Sequence, residues 1–183
     1  MTDLNWTLSS SETIFETNSK GLRVQKRTYT CEDGRTKTVE LKDEGPFGHA
    51  FAITPDNKII LVRQFRVGPD KYYYESPAGS LSKEGDPKEE VLRELREESG
   101  YTSDDVVLLR AAYDGGYTTA MRYMFLAKNC VKTHDQQLDE DEYIDHVRLA
   151  SIEEVKVMIK NDEYIFPLLA YLAFEKLGLL QWK

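Results

Sequence analysis

Apolar and polar positions along this chain change their period several times, and each change marks an element. Residues 22–30 form a partly alternating run, Glu32-Asp33-Gly34 supplies a turn, and residues 36–41 return, which predicts a β-hairpin. Two apolar runs, 49–53 and 59–65, flank Thr54-Pro55-Asp56-Asn57-Lys58, a turn by composition. Residues 72–76 give a further short strand leading into Pro77-Ala78-Gly79. The period then becomes helical. Asp86 suits the cap, Pro87 the first helical position, Glu89 stands at capping-box spacing, and Gly100 closes the helix as a left-handed residue. Val91, Leu92 and Leu95 give this helix an apolar side, while Glu90, Glu94, Glu97 and Glu98 gather on another. Residues 106–113, 122–127 and 144–150 predict three more strands. Ser151 with Glu154 opens a helix to about residue 161, and a last apolar helix covers 167–177. Helices and strands mixed in this order predict an α/β fold, an α/β/α sandwich with a mixed sheet. A lone hairpin is marginal in water. The N-terminal strands therefore must pack on the main domain or on a second subunit, which divides the chain into a β extension over 1–45, expected to dimerise, and a main domain over 46–183.

Composition narrows the function classes. At 183 residues and 21.1 kDa the chain suits one domain with a small extension, and its 40% apolar content is ordinary for a globular protein. A net charge of −8 and a pI near 5.0 argue against holding nucleic acid by its backbone. Cys31 and Cys130 have no metal-ligand spacing and fit buried thiols in a reducing compartment. With neither a basic-then-apolar leader nor a membrane-length apolar run, the expected location is the cytoplasm, with no membrane partner. His49, His134 and His146 share no spacing that suggests a ligand set.

The acidic helix carries the chemistry. Carboxylates three and four residues apart are neighbours and repel one another. A helix that carries them either points them into water or holds them around divalent cations, and hard cations prefer carboxylate oxygen. A bound divalent cation offsets negative charge on a ligand and lowers the pKa of a coordinated water.

From Gly79 to Tyr101 the chain reads GSLSKEGDPKEEVLRELREESGY and resembles the Nudix box. That pattern is Gly, five residues, Glu, seven residues, then Arg-Glu-hydrophobic-any-Glu-Glu-any-Gly-hydrophobic. Its second half is met by Arg93, Glu94, Leu95, Glu97, Glu98, Gly100 and Tyr101, whereas its first Glu falls on Gly85, with Glu84 one place early. The resemblance implies Mg²⁺, with Mn²⁺ the other candidate, held by Glu94, Glu97, Glu98 and the Ala78 carbonyl, and Arg93 orienting a carboxylate of the cluster. It also makes Glu94, Glu97 and Glu98 the expected catalytic residues. Residues 12–79, with LVRQFR and ESPAG, resemble the N-terminal half of ADP-ribose pyrophosphatases and related nucleoside-diphosphate-sugar hydrolases. This implies Arg66 on the diphosphate or distal sugar, Glu75 and Gly79 at the site, Tyr29 against the base, and a homodimer built through the N-terminal strands. It also implies a general base from the loop before the last strand, where Glu140 and Glu142 stand and Glu142 is preferred because it lies nearer the strand. The reaction expected is hydrolysis of a nucleoside diphosphate sugar, such as ADP-ribose or GDP-mannose, to a nucleoside monophosphate and a sugar phosphate. After the box the chain has Tyr113-Asp114-Gly115-Gly116-Tyr117 where ADP-ribose hydrolases usually carry a Ser-Pro-Gly-aromatic stretch. Dinucleoside polyphosphate or nucleoside triphosphate hydrolysis, and a non-catalytic nucleotide-binding regulator, stand as alternatives.

Overall fold

The apolar runs assemble into a sheet because each strand offers one set of alternate side chains to each face. The computed structural model describes residues 4–17, 22–138 and 142–180. In chain order it contains β1 (Trp6–Glu16), β2 (Arg23–Cys31), β3 (Thr36–Asp43), β4 (Phe47–Ile53), β5 (Ile59–Arg66), β6 (Lys71–Glu75) and β7 (Ala78–Ser80). Then follow α1 (Pro87–Ser99), β8 (Tyr101–Thr102), β9 (Asp105–Tyr113), β10 (Met121–Lys128), β11 (Val131–Lys132), β12 (Ile144–Ala150), α2 (Ile152–Lys160) and α3 (Pro167–Lys176). Two compact units result. One takes the chain up to Pro46 together with Ala112–Met121, the other Phe47–Ala111 with the chain from Arg122 onward.

The second unit is the sandwich. Its sheet runs β12-β5-β4-β10-β9, with β6 added on β5 and β7 on β4. β4 and β10 are parallel and β12–β5 antiparallel, so the sheet is mixed as the sequence predicts. Phe51, Ile53, Ile59, Leu61, Met124 and Leu126 face α2 and α3, packing with Val155, Met158, Leu169, Ala173 and Phe174. Ala50, Ala52, Ile60, Phe125 and Ala127 point the other way and bury Val91 and Leu95 of α1. The small alanines on that face let α1 lie close to the sheet. α2 carries a complete capping box, Ser151 and Glu154 each bonding the other's backbone N–H. No helix among the described residues is long and apolar enough to cross a membrane.

One feature of this sheet builds the site. β4 and β5 pair at only two positions, Ala52 with Ile60 and Ile53 with Ile59, and then part. The run from Lys71 to Ser80 fills the opening. As β6 it pairs with β5 from Arg66–Lys71 to Val62–Glu75, and as β7 it pairs with β4 from His49–Ala78 to Phe47–Ser80. Ser76-Pro77 is the crossing, tied where the Ala50 N–H bonds the Pro77 carbonyl at 2.9 Å. Glu75, Ala78 and Gly79 are thus delivered into the wedge.

The first unit is an antiparallel sheet in the order β1-β2-β3. The predicted hairpin is β2–β3, in register from Arg23–Asp43 to Thr30–Thr36, and Gly34 turns it at φ 87°. β1 is an added strand. It pairs with β2 along its length but with register shifts at Leu8/Ser10 and Thr13/Phe15, and every one of its residues is exposed.

Candidate active site

α1 is fixed at both ends by backbone chemistry. Asp86, in extended conformation, accepts a bond from Lys88 N–H at 2.9 Å, and Pro87 sits where no intrahelical N–H is needed. Gly100, at φ 78°, returns its N–H to the Arg96 carbonyl at 2.8 Å. Burial of Val91 and Leu95 sets the rotation. Residues three positions on stand about 60° around the axis, so Glu94 and Glu98 turn toward the wedge where β7 begins. Both carboxylates are buried, with relative exposures of 7% and 5%.

The backbone of the wedge meets them. Ala78 N–H donates to Glu98 Oε2 at 2.8 Å. Gly79 has no side chain because there is no room for one: a Cβ there would stand 2.2 Å from the Glu94 carboxyl carbon. Arg93 lies alongside and its guanidinium bonds both Glu94 and Glu97, the orienting contact expected of it. Burial pushes the Glu98 carboxyl well above its ordinary pKa, opposed by the Ala78 bond and reinforced by the negative charges of Glu75, Glu142 and Glu94. Burial likewise raises Glu94, against the pull of Arg93. Glu142 is half-buried, and its charge acts on both Glu94 and Glu98. Glu140 lies outside the described residues.

These residues fit a hard divalent cation in donor type and charge. Among the described residues no three His, Cys, Asp or Glu side chains converge as a finished metal cage. What exists is an excess of buried negative charge on oxygen donors beside bare backbone, partly neutralised by Arg93, and a cation relieves that repulsion.

The remaining expected residues fall as follows. Arg66 and Glu75 point to one another, with Arg66 Nε 3.0 Å from Glu75 Oε1 and a second bond from Nη2 to Oε2. Glu75 is 4% exposed, and burial raises its pKa despite the guanidinium. Tyr29 belongs to the first unit. There it lines a cavity of about 510 Å³ with Trp6, Lys37, Val39, Leu41, Gly116 and Tyr117. Trp6 was not foreseeable, since β1 has no apolar period to announce it. Cys31 and Cys130 are both free and buried, and burial pushes the Cys130 thiol up to about 11.

Two details escape the box pattern. Glu90 does not join Glu94 and Glu98 but turns back to the loop, where Ser82 donates to it from N–H at 2.7 Å and from Oγ at 2.6 Å. Those bonds hold its carboxyl below the ordinary pKa. The segment that leads toward Glu142 is strapped to the far end of α1, with Gln136 Nε2 bonding the Glu98 carbonyl at 2.7 Å and Gln137 N–H the Glu97 carbonyl at 2.8 Å.

A sandwich that sets a glutamate-rich helix against a Pro-Ala-Gly crossing defines a Nudix-type fold. The NUDIX domain pattern matches residues 48–171, and the chain belongs to the Nudix family. It is 32% identical over 153 residues to a methanol dehydrogenase activator of Bacillus methanolicus, covering 82% of this chain and 81% of that one. It is 34% identical over 116 residues to an ADP-ribose pyrophosphatase of Bacillus subtilis, covering 62% of this chain and 63% of that one. A crystal structure of an ADP compounds hydrolase superposes with a TM-score of 0.78 over 96% of this chain and 97% of the other, at 17% identity, a likeness of fold.

Proposed function

We propose that this protein hydrolyses the diphosphate of a nucleoside diphosphate sugar, of the ADP-ribose type, to a nucleoside monophosphate and a sugar phosphate, using Mg²⁺ or Mn²⁺. The carrying observation is the pair Glu94 and Glu98, buried one helical turn apart against the Ala78–Gly79 backbone, with the Glu142 charge acting on both. When bound, divalent cations neutralise the diphosphate and polarise its P–O bonds. Glu94 and Glu98 are the residues that hold them, with Glu97 and the Ala78 carbonyl completing the donor set. Arg93 keeps Glu94 and Glu97 in place. Glu142 takes the proton of the attacking water. Arg66, backed by Glu75, is the cation available to the diphosphate or distal sugar. In the first unit, the aromatic surfaces of Tyr29, Trp6 and Tyr117 suit a nucleobase. The similarity to an ADP-ribose pyrophosphatase supports the substrate class, and GDP-mannose and other sugar nucleotides belong in the same test.

The N-terminal strands are the proposed dimer interface. β1 is an eleven-residue edge strand that exposes Trp6, Leu8, Ile14 and Phe15, the kind of edge that pairs with another chain. Two buried free thiols are consistent with a cytoplasmic setting.

The deciding assay incubates the protein with Mg²⁺ or Mn²⁺ and ADP-ribose, GDP-mannose, UDP-glucose, a diadenosine polyphosphate and nucleoside triphosphates, with products identified. AMP and ribose 5-phosphate from ADP-ribose support the proposal, and Glu98→Gln lowers that turnover by orders of magnitude. Release of pyrophosphate from triphosphates as the main reaction, or ligand binding without hydrolysis, overturns it. The similarity to a methanol dehydrogenase activator favours a second reading, action on another enzyme. It requires that adding this chain change the rate of a methanol dehydrogenase.

A further inference from the structure

The loop from β7 into α1 is closed by a small clasp. The Ser82 hydroxyl donates to Glu90 Oε1 at 2.6 Å and accepts the Gly85 N–H at 2.8 Å, while Ser82 N–H donates to Glu90 Oε2 at 2.7 Å. Both carboxylate oxygens are thus engaged, and bonds to an ionised carboxylate are the stronger kind. The clasp exists because residue 85 has no side chain. A Cβ there would stand 1.7 Å from Glu90 Oε1 and 2.5 Å from Ser82 Oγ, so any other residue must evict the Glu90 carboxylate.

Its place on the helix gives it a task. Glu90, Glu94 and Glu98 follow one another at single-turn intervals on one face of α1. Glu98 takes the Ala78 N–H, Glu94 lies against Gly79, and Glu90 holds Ser82, three residues further along the same strand and loop. The three contacts run like rungs between α1 and the chain that leaves the wedge. Loss of the Glu90 rung lets the loop swing, and the next two rungs then set the spacing alone.

We propose that Glu90 is a positioning residue, acting through Ser82 and dependent on the bare backbone of Gly85, that fixes the Ala78–Gly79 backbone against Glu94 and Glu98. The inference rests on the cation site proposed above, but one of its two readouts is independent of metal. The variants are Gly85→Ala, Glu90→Ala and the double variant, in the full chain, each held well below its own melting temperature. The first readout is amide exchange at Ala78 without metal, which reports the bond to Glu98. The second is binding of Mn²⁺ alone, followed by the paramagnetic resonance of the free ion.

Each single variant is expected to lose Ala78 protection and to bind Mn²⁺ about tenfold more weakly, as for other groups that support a ligand from behind. The double variant should be no worse than either single one, because both remove the same clasp. Unchanged Ala78 exchange in the single variants overturns the proposal, and so does simple additivity. If wild-type protein binds no Mn²⁺ while Ala78 protection still falls in the variants, the cation site fails and the clasp stands.

Discussion

At the scale of single residues, the site is a balance between buried negative charge and what neutralises it. Glu98 and Glu94 have pKa values raised in the folded chain, chiefly by burial. A carboxyl whose pKa rises on folding binds more protons folded than unfolded as pH climbs past the ordinary carboxylate range near 4.3, so stability without metal falls as pH rises through the folded value. The expected outcome is a metal-free melting temperature that declines from about pH 5 toward neutrality, and a stabilisation by Mg²⁺ that grows over the same span. A pH-independent Mg²⁺ effect would contradict it. Glu98→Gln removes the charge but keeps an acceptor for Ala78 N–H, so without metal at pH 7 it should melt higher than wild type while being inactive. Gly79→Ala pushes a methyl into the Glu94 carboxyl, and its kcat should fall by about 10- to 100-fold with the fold retained, as circular dichroism will report. The four glutamates on this side of α1, Glu90, Glu94, Glu97 and Glu98, were legible as a set because helical spacing alone makes them neighbours. Their division was not: Glu90 turns to Ser82, and Arg66 turns to Glu75, because side chains choose partners that only the assembled loop and strands provide.

Elements with local signals formed where the sequence predicts them. α1 spans Pro87–Ser99 and α2 starts after Ser151 because caps, proline and glycine act on the backbone within one turn. Replacing Asp86 by Ala removes the bond to Lys88 N–H. The melting temperature should drop by about 2–4 °C, measured by calorimetry, while a cap that contributed nothing would leave it unmoved. Strands β4, β5, β10 and β12 were equally readable from their apolar runs. β1 was not, since WTLSSSETIFE offers no buried face and is held by its ladder with β2. The two-residue strands β8 and β11 pair with each other, and neither carries an apolar run of its own to announce it.

On the scale of the whole molecule, the exposed edge of β1 makes association the main expectation. Leu8→Lys with Phe15→Lys should convert a dimer to a monomer in sedimentation, and a wild type that sediments as a monomer at all concentrations would remove the interface. The other large-scale feature is the parting of β4 from β5, filled by one run that pairs first with one strand and then with the other. Because both ladders are anchored, the crossing at Ser76-Pro77 has no slack. Lengthening or shortening it by one residue would reverse every side chain on one of its arms and carry either Glu75 or Gly79 out of the site. This stretch can therefore change its chemistry by substitution but not by insertion or deletion. The site's geometry is, in effect, written in a count of residues.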